Sequence, residues 1–117
     1  MKKIILRFNI SNRNSFDSFV NIKNGTKSVE TRAATKKYRG IKAGDIIIFS
    51  CGKEKFSKIV KRVRYFKTIG LMLKEIKLKS IMPGCNSAGE LEKSYYSYPN
   101  YHEKIKKFGL AAIEFEK

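Results

Sequence analysis

A chain of 117 residues, 42% of them apolar and including eight Phe and six Tyr, can build one real core but is too short for two domains. Lys and Arg number 26 against 10 Asp and Glu, a net charge of +16 that calls for a polyanionic partner. No apolar run approaches the roughly 20 residues needed to cross a bilayer, and no basic amphipathic stretch with exposed Trp, Phe or Leu marks a membrane-surface helix.

Lys2 to Asn9 reads as a strand with Ile4 and Leu6 on one face. The opening Met1-Lys2-Lys3 followed by Ile4-Ile5-Leu6 begins like a secretion signal, but Arg7 ends the apolar stretch, so a cytoplasmic location is expected. Asn12 to Asn24 reads as a helix capped by Ser15, with Phe16, Phe19 and Val20 inward and Gly25 in the left-handed position after it. Ser28 to Ala33 alternates as a strand, Val29 and Thr31 facing one way and Ser28, Glu30 and Arg32 the other. Ala34 to Arg39 is expected as a polar, basic loop. Ile41 to Asp45 turns into the apolar strand Ile46 to Phe49, and Gly52 to Lys55 forms a hairpin turn.

Phe56 to Phe66 is a long strand with Ile59, Val63 and Tyr65 inward; Val60 falls out of phase, which predicts a bulge. Thr68 caps a helix carrying Ile69, Met72, Leu73 and Ile76. Pro83-Gly84 breaks the chain, and Ser87-Ala-Gly-Glu90 is a capping box opening a helix through Tyr95 and Tyr96. After Pro99-Asn100 comes a short basic helix stopped by Gly109. Leu110 to Phe115 closes as a strand, with Ala111, Ile113 and Phe115 on one face. The element order lacks regular βαβ alternation. It fits an α/β (α+β) domain in which a small, mostly antiparallel barrel is flanked by helices.

The charge is uneven. Residues 1–80 hold 21 basic and 5 acidic residues, whereas 81–117 hold five of each. Lysine drift in an AT-rich genome accounts for part of the excess but not for the neutral C-terminal third, so RNA or another polyanion is the expected partner. The cysteines, Cys51 and Cys85, are 34 positions apart without CxxC spacing and are expected as reduced thiols. With His102 the lone histidine, no metal site is expected, and no Walker loop or GxGxxG implies a cofactor. The tyrosines at 95, 96, 98 and 101 suggest an RNA stacking platform, but their helical spacing and neutral surroundings favour packing of the last helices onto the barrel.

Candidate chemistry concentrates in Gly25-Thr26-Lys27-Ser28-Val29-Glu30-Thr31-Arg32. Glu30 and Arg32, two apart on one strand face, either pair with each other or line a cleft in which Arg32 grips a phosphate or base edge. Lys27 is expected at its mouth as a mobile phosphate binder.

This segment, followed by Ile41-Lys-Ala-Gly-Asp-Ile-Ile-Ile-Phe49, resembles the ASCH family, a branch of the PUA-like superfamily with a GxKxxExR segment and a GD turn into a barrel strand. Val60 to Tyr65, Phe66 to Leu73, Ile81-Met-Pro-Gly84, Tyr98 to Tyr101 and Phe108 to Ile113 continue the resemblance in order, covering nearly the whole chain from Phe16. The resemblance implies a single domain over residues 1–117, a small β-barrel and an RNA-binding role. By position, Lys27, Glu30 and Arg32 would line the cleft. Lys36, Lys37 and Arg39 would form a basic rim, with Tyr38 stacking on an unpaired base or packing on the barrel, and Arg62 and Arg64 would lie nearby. One bacterial branch hydrolyses acetylcytidine with a Lys, Thr and Glu set, but its threonine falls at Glu30 here. Thr31, one residue on, is expected to face the other way. A ribonuclease using Lys27 and Glu30 as stabiliser and base is the enzymatic alternative. An adaptor for another protein is a third reading, and the sequence carries no signal for oligomeric state.

Overall fold

The structure, a computed structural model, describes residues 2–116. Its elements are β1 (Lys3–Phe8), α1 (Arg13–Lys23), β2 (Val29–Ala33), α2 (Lys36–Arg39), β3 (Ile46–Cys51), β4 (Glu54–Phe66), α3 (Ile69–Glu75), α4 (Leu78–Ile81), α5 (Ala88–Tyr96), α6 (Tyr101–Phe108) and β5 (Leu110–Phe115). The strands form one curled sheet in the order β1-β3-β4-β5-β2. The β1–β3 pair is parallel and the other three pairs are antiparallel. The sheet is a half-barrel rather than the closed barrel expected: β1 and β2 are its two edges.

Apolar side chains pack on both faces. On one face α1 sets Phe19 and Ile22 against Leu6, Phe8, Ile47, Phe49, Val60 and Ile113. Ring contacts link Phe8, Phe19, Phe49, Phe56 and Phe115 at centroid spacings of 4.8 to 6.0 Å. On the other face Met72, Ile81, Leu91, Tyr95 and Ile105, from α3 to α6, cover Val29, Ala33, Leu110 and Ala112. Strand β5 is therefore covered on both sides, which explains its nearly continuous apolar sequence. Cys51 belongs to the first core and Cys85 to the second, and both are free. Among the described residues no helix is long and apolar enough to cross a membrane.

Several local expectations need correction. The cap of α1 is Asn12, whose side chain accepts from the Ser15 amide at 3.0 Å. Ser15 instead accepts from the Asn9 amide at 2.8 Å, closing the loop ahead of the helix. Phe16 and Val20 lie exposed, and Phe19 with Ile22 forms the buried stripe. The segment expected as a loop contains the one-turn helix α2, with no side-chain cap to announce it. In β4 the bulge lies between Val60 and Arg62, as the sequence phase predicts, but it is Val60 that is buried while Ile59 and Tyr65 are exposed. The extra residue reverses the alternation, so Val60 and Val63 reach the same core.

Capping elsewhere follows the sequence. Thr68 accepts from the Leu71 amide at 3.1 Å, and Ser87 from the Glu90 amide at 3.2 Å. Asp45 in the Gly-Asp turn takes the Lys2 amide at 3.0 Å and the Lys42 amide at 2.9 Å. It thereby pins the start of β1 to the start of β3. Those two backbone bonds hold its carboxyl below the usual range.

Candidate functional site

Residues of the two edge strands line a cleft of about 210 Å³, together with the first half of α1 and the start of α6. The local fold explains how the basic and acidic residues meet there. Gly25 adopts φ +84° after α1, a conformation a side chain rarely takes. That turn lets the Lys27 amide bond back to the Asn21 carbonyl at 2.9 Å. The Lys27 side chain consequently lies between α1 and β2, where its ammonium meets Ser18 Oγ at 3.3 Å and Glu30 Oε1 at 2.9 Å. Glu30 Oε2 takes Arg32 Nη2 at 3.0 Å, and the Arg32 guanidinium lies 5.4 Å from the Phe8 ring centre across the gap.

Lys27 and Glu30 are only 3% and 4% exposed. The expected mobile lysine at the mouth is thus a fixed member of a buried ion triad. Arg32 is the member that reaches solvent, with 26% of its side chain exposed. Burial pushes the Glu30 carboxyl upward, but Lys27 and Arg32 overcome it and hold the group below its ordinary value. Burial likewise disfavours the Arg32 cation, yet the Glu30 carboxylate beside it outweighs this and holds the guanidinium above its ordinary value. The triad carries one net positive charge.

Sequence reading did not assign the tyrosine wall to this site. Tyr95, Tyr98 and Tyr101 border the cleft, Tyr95 and Tyr101 also packing α5 and α6 onto β2. The Tyr95 hydroxyl bonds to Thr31 Oγ1, and the Tyr101 hydroxyl accepts from the Ala33 amide at 2.8 Å. Burial raises the phenol of each, most strongly for Tyr95. Thr31 faces away from Glu30, as the alternation requires, yet it borders the cleft because the cleft wraps around an edge strand. Such an edge normally exposes unpaired amides. Here the edge-facing amides of Thr31 and Ala33 are taken by Glu30 and Tyr101. Tyr101→Phe therefore leaves the Ala33 amide without its partner, and chemical denaturation should show a loss of about 1–2 kcal/mol.

The remaining candidates lie outside the cleft lining. Lys36 and Lys37 are exposed on α2. Tyr38 packs against the α1-side core with Lys37 over its ring, so packing describes its position better than an open stacking face. Arg39 staples α2 down through the carbonyls of Ala34, at 2.9 Å, and Phe108, at 3.0 Å. Arg62 and Arg64 converge on Glu114, with Arg62 Nε at 2.5 Å and Arg64 Nη2 at 3.7 Å. His102 stacks on Tyr96 at 4.2 Å, on the exposed side of α6.

The profile of the ASCH domain matches residues 17–117. The chain belongs to the ASCH family. A crystal structure of the hypothetical protein PH0355 superposes on this ASCH domain with a TM-score of 0.79 and 34% identity, covering 99% of this chain and 98% of that one. The solution structure of protein PF0455 from Pyrococcus furiosus gives a TM-score of 0.70 and 32% identity over 98% and 94% of the two chains. None of the curated proteins matches the chain.

Chemically, the arrangement suits recognition better than proton transfer. A general base works best with a pKa near the operating pH and a lone pair free for the substrate. Glu30 is held low, and both of its oxygens are engaged by cations.

Proposed function

We propose that this ASCH domain binds RNA, using its basic surface for the phosphates and the cleft between β1 and β2 for one unpaired base. The observation that carries the reading is the buried Lys27–Glu30–Arg32 triad, which presents a fixed, partly exposed guanidinium to a cleft walled by Phe8, Tyr98 and Tyr101. Arginine forks read base edges and phosphates, and aromatic walls hold splayed-out bases of single-stranded RNA. A buried net cation in so small a space favours an electron-rich guest. The excess charge supplies the sequence-independent attraction, with Lys36 and Lys37 on the exposed α2 turn as phosphate contacts. The intramolecular bonds of Arg39, Arg62 and Arg64 make them weaker contributors.

Fluorescence anisotropy of labelled single-stranded RNA, hairpin RNA and matched DNA, titrated at several salt concentrations, tests the proposal. Single-stranded RNA should bind most tightly, and log affinity should fall linearly with log salt. Arg32→Ala should weaken RNA binding about tenfold and abolish the preference over DNA. Lys107→Ala, on the exposed side of α6, should change it less than about twofold. Equal binding of all three nucleic acids, released together as salt rises, would reduce the +16 charge to a generic attraction and end the proposal.

A further inference from the structure

Resting on the RNA-binding reading, the geometry points to a ligand edge with two adjacent hydrogen-bond acceptors, such as guanine presents at O6 and N7 and cytosine at O2 and N3. The side-chain hydrogen bonds already made around the cleft carry the argument. Glu30 Oε1 takes Lys27 Nζ and the Thr31 amide, and Oε2 takes Arg32. Asn9 Oδ1 takes the Ser11 amide at 2.9 Å, so its amino hydrogens remain. Ser15, Ser18 and Tyr101 each accept one bond, from the Asn9 amide, Lys27 and the Ala33 amide respectively, leaving their hydroxyl hydrogens to donate.

Arg32 spends only Nη2 on Glu30. Among the described residues no protein acceptor meets its Nε or Nη1. Lys27 has one hydrogen left after Glu30 and Ser18. Residues from α1, β2, α6 and the end of β1 thus line one cleft in which each of these acceptors already holds a bond while Arg32, Asn9 and the hydroxyls keep donors to spare. A guest that brings its own donors meets a carboxylate whose two oxygens are both already held by cations. One that brings adjacent acceptors can take the second hydrogen of Arg32 Nη2 together with its neighbour on Nη1 or Nε in a bidentate contact.

Base chemistry makes this selective. Guanine offers two neighbouring acceptors at O6 and N7, whereas adenine pairs its N7 acceptor with an amino donor. Cytosine has two adjacent acceptors on its pairing edge, and uracil interrupts its two carbonyls with an N–H. The cleft, at about 210 Å³, is smaller than the roughly 300–1,000 Å³ of sites for drug-sized ligands, so one ring system fills it. Ser15 and Ser18 on α1 and Arg32 on β2 all line the space that ring system would occupy.

The test is an NMR titration of the protein with guanosine, cytidine, adenosine and uridine, and separately with inorganic phosphate, reading the resonances of residues 27–33 and of Tyr101. Guanosine or cytidine should perturb the cleft at concentrations about fivefold or more below adenosine and uridine. 7-Deazaguanosine, which lacks the N7 acceptor, identifies the guanine source if it binds about fivefold more weakly than guanosine. A preference for cytidine identifies the other source. Arg32→Lys keeps the charge but loses the fork, and should erase the discrimination while salt-dependent RNA binding persists.

Adenosine or uridine binding the cleft as tightly as guanosine and cytidine would overturn the acceptor-edge inference and leave the base pocket standing. Phosphate producing the same shifts at lower concentration would overturn it in favour of an anion subsite. Cleft resonances unmoved by every nucleoside, while RNA binds independently of Arg32, would remove both this inference and the pocket.

Discussion

Replacing Gly109 by alanine is expected to destabilise the domain by about 3 kcal/mol or more, whereas Gly84→Ala should be neutral or slightly stabilising. Gly109 links α6 to β5 at φ 77° and ψ −163°, a region occupied almost solely by glycine. A Cβ there would stand 2.5 Å from the Phe66 carbonyl oxygen, and that oxygen belongs to strand backbone that cannot swing aside. Gly84 has no such φ and nothing within 4 Å of an added Cβ, so alanine there chiefly removes freedom from the unfolded chain. Urea denaturation of the two variants beside the parent protein checks the contrast. A Gly109→Ala cost below about 1 kcal/mol would mean that β4 and α6 do not approach as closely as described. The effect also reaches the cleft, because the Gly109 carbonyl accepts the Ala34 amide and so sets the pairing of β5 with β2.

Gly109 also shows what was legible in the sequence. Its role as a helix stop is readable from Phe108-Gly-Leu, but the close approach of Phe66 is not, because it joins parts of the chain 43 positions apart. The same division runs through the site. Alternation put Glu30 and Arg32 on one face of β2, so their pairing could be assembled from a short segment, whereas the burial of Lys27 with them, where a mobile lysine was expected, could not. The tyrosine wall could not, since Tyr95 and Tyr101 meet Thr31 and Ala33 across sequence separations of 64 and 68. Nor does local pattern say whether a curled sheet closes. β1 and β2 remain the two edges of the sheet, and residues of α1 and α6 line the cleft beside them. The expected phase of β4 failed for a related reason: a bulge is visible as an out-of-step residue, but which side of it faces the core depends on the partner strand.

Glu30→Ala is the second substitution with a large expected effect, about 3–5 kcal/mol of lost stability at neutral pH. It would leave the Lys27 ammonium, 3% exposed, with Ser18 as its remaining partner and would release Arg32 from its anchor. A buried cation without its counterion is far costlier than the pair is valuable. Lys27→Met combined with Glu30→Leu should therefore recover most of the loss, while RNA recognition by the cleft does not return. The pH dependence gives an independent reading. Because Lys27 and Arg32 hold the native Glu30 carboxyl below its ordinary 4.5, the unfolded chain takes up that proton first as acid is added. The stabilisation is fully present above about pH 4.5 and drains away as pH falls through the lower native value. Glu30→Gln removes this contribution, so its stability should fall less steeply in that acid window than that of the parent protein. If Glu30→Ala instead costs less than about 1 kcal/mol and leaves the acid slope unchanged, Lys27 reaches water without help. The triad would then be a surface ion pair, worth little to the fold and too mobile to present Arg32 in a fixed orientation.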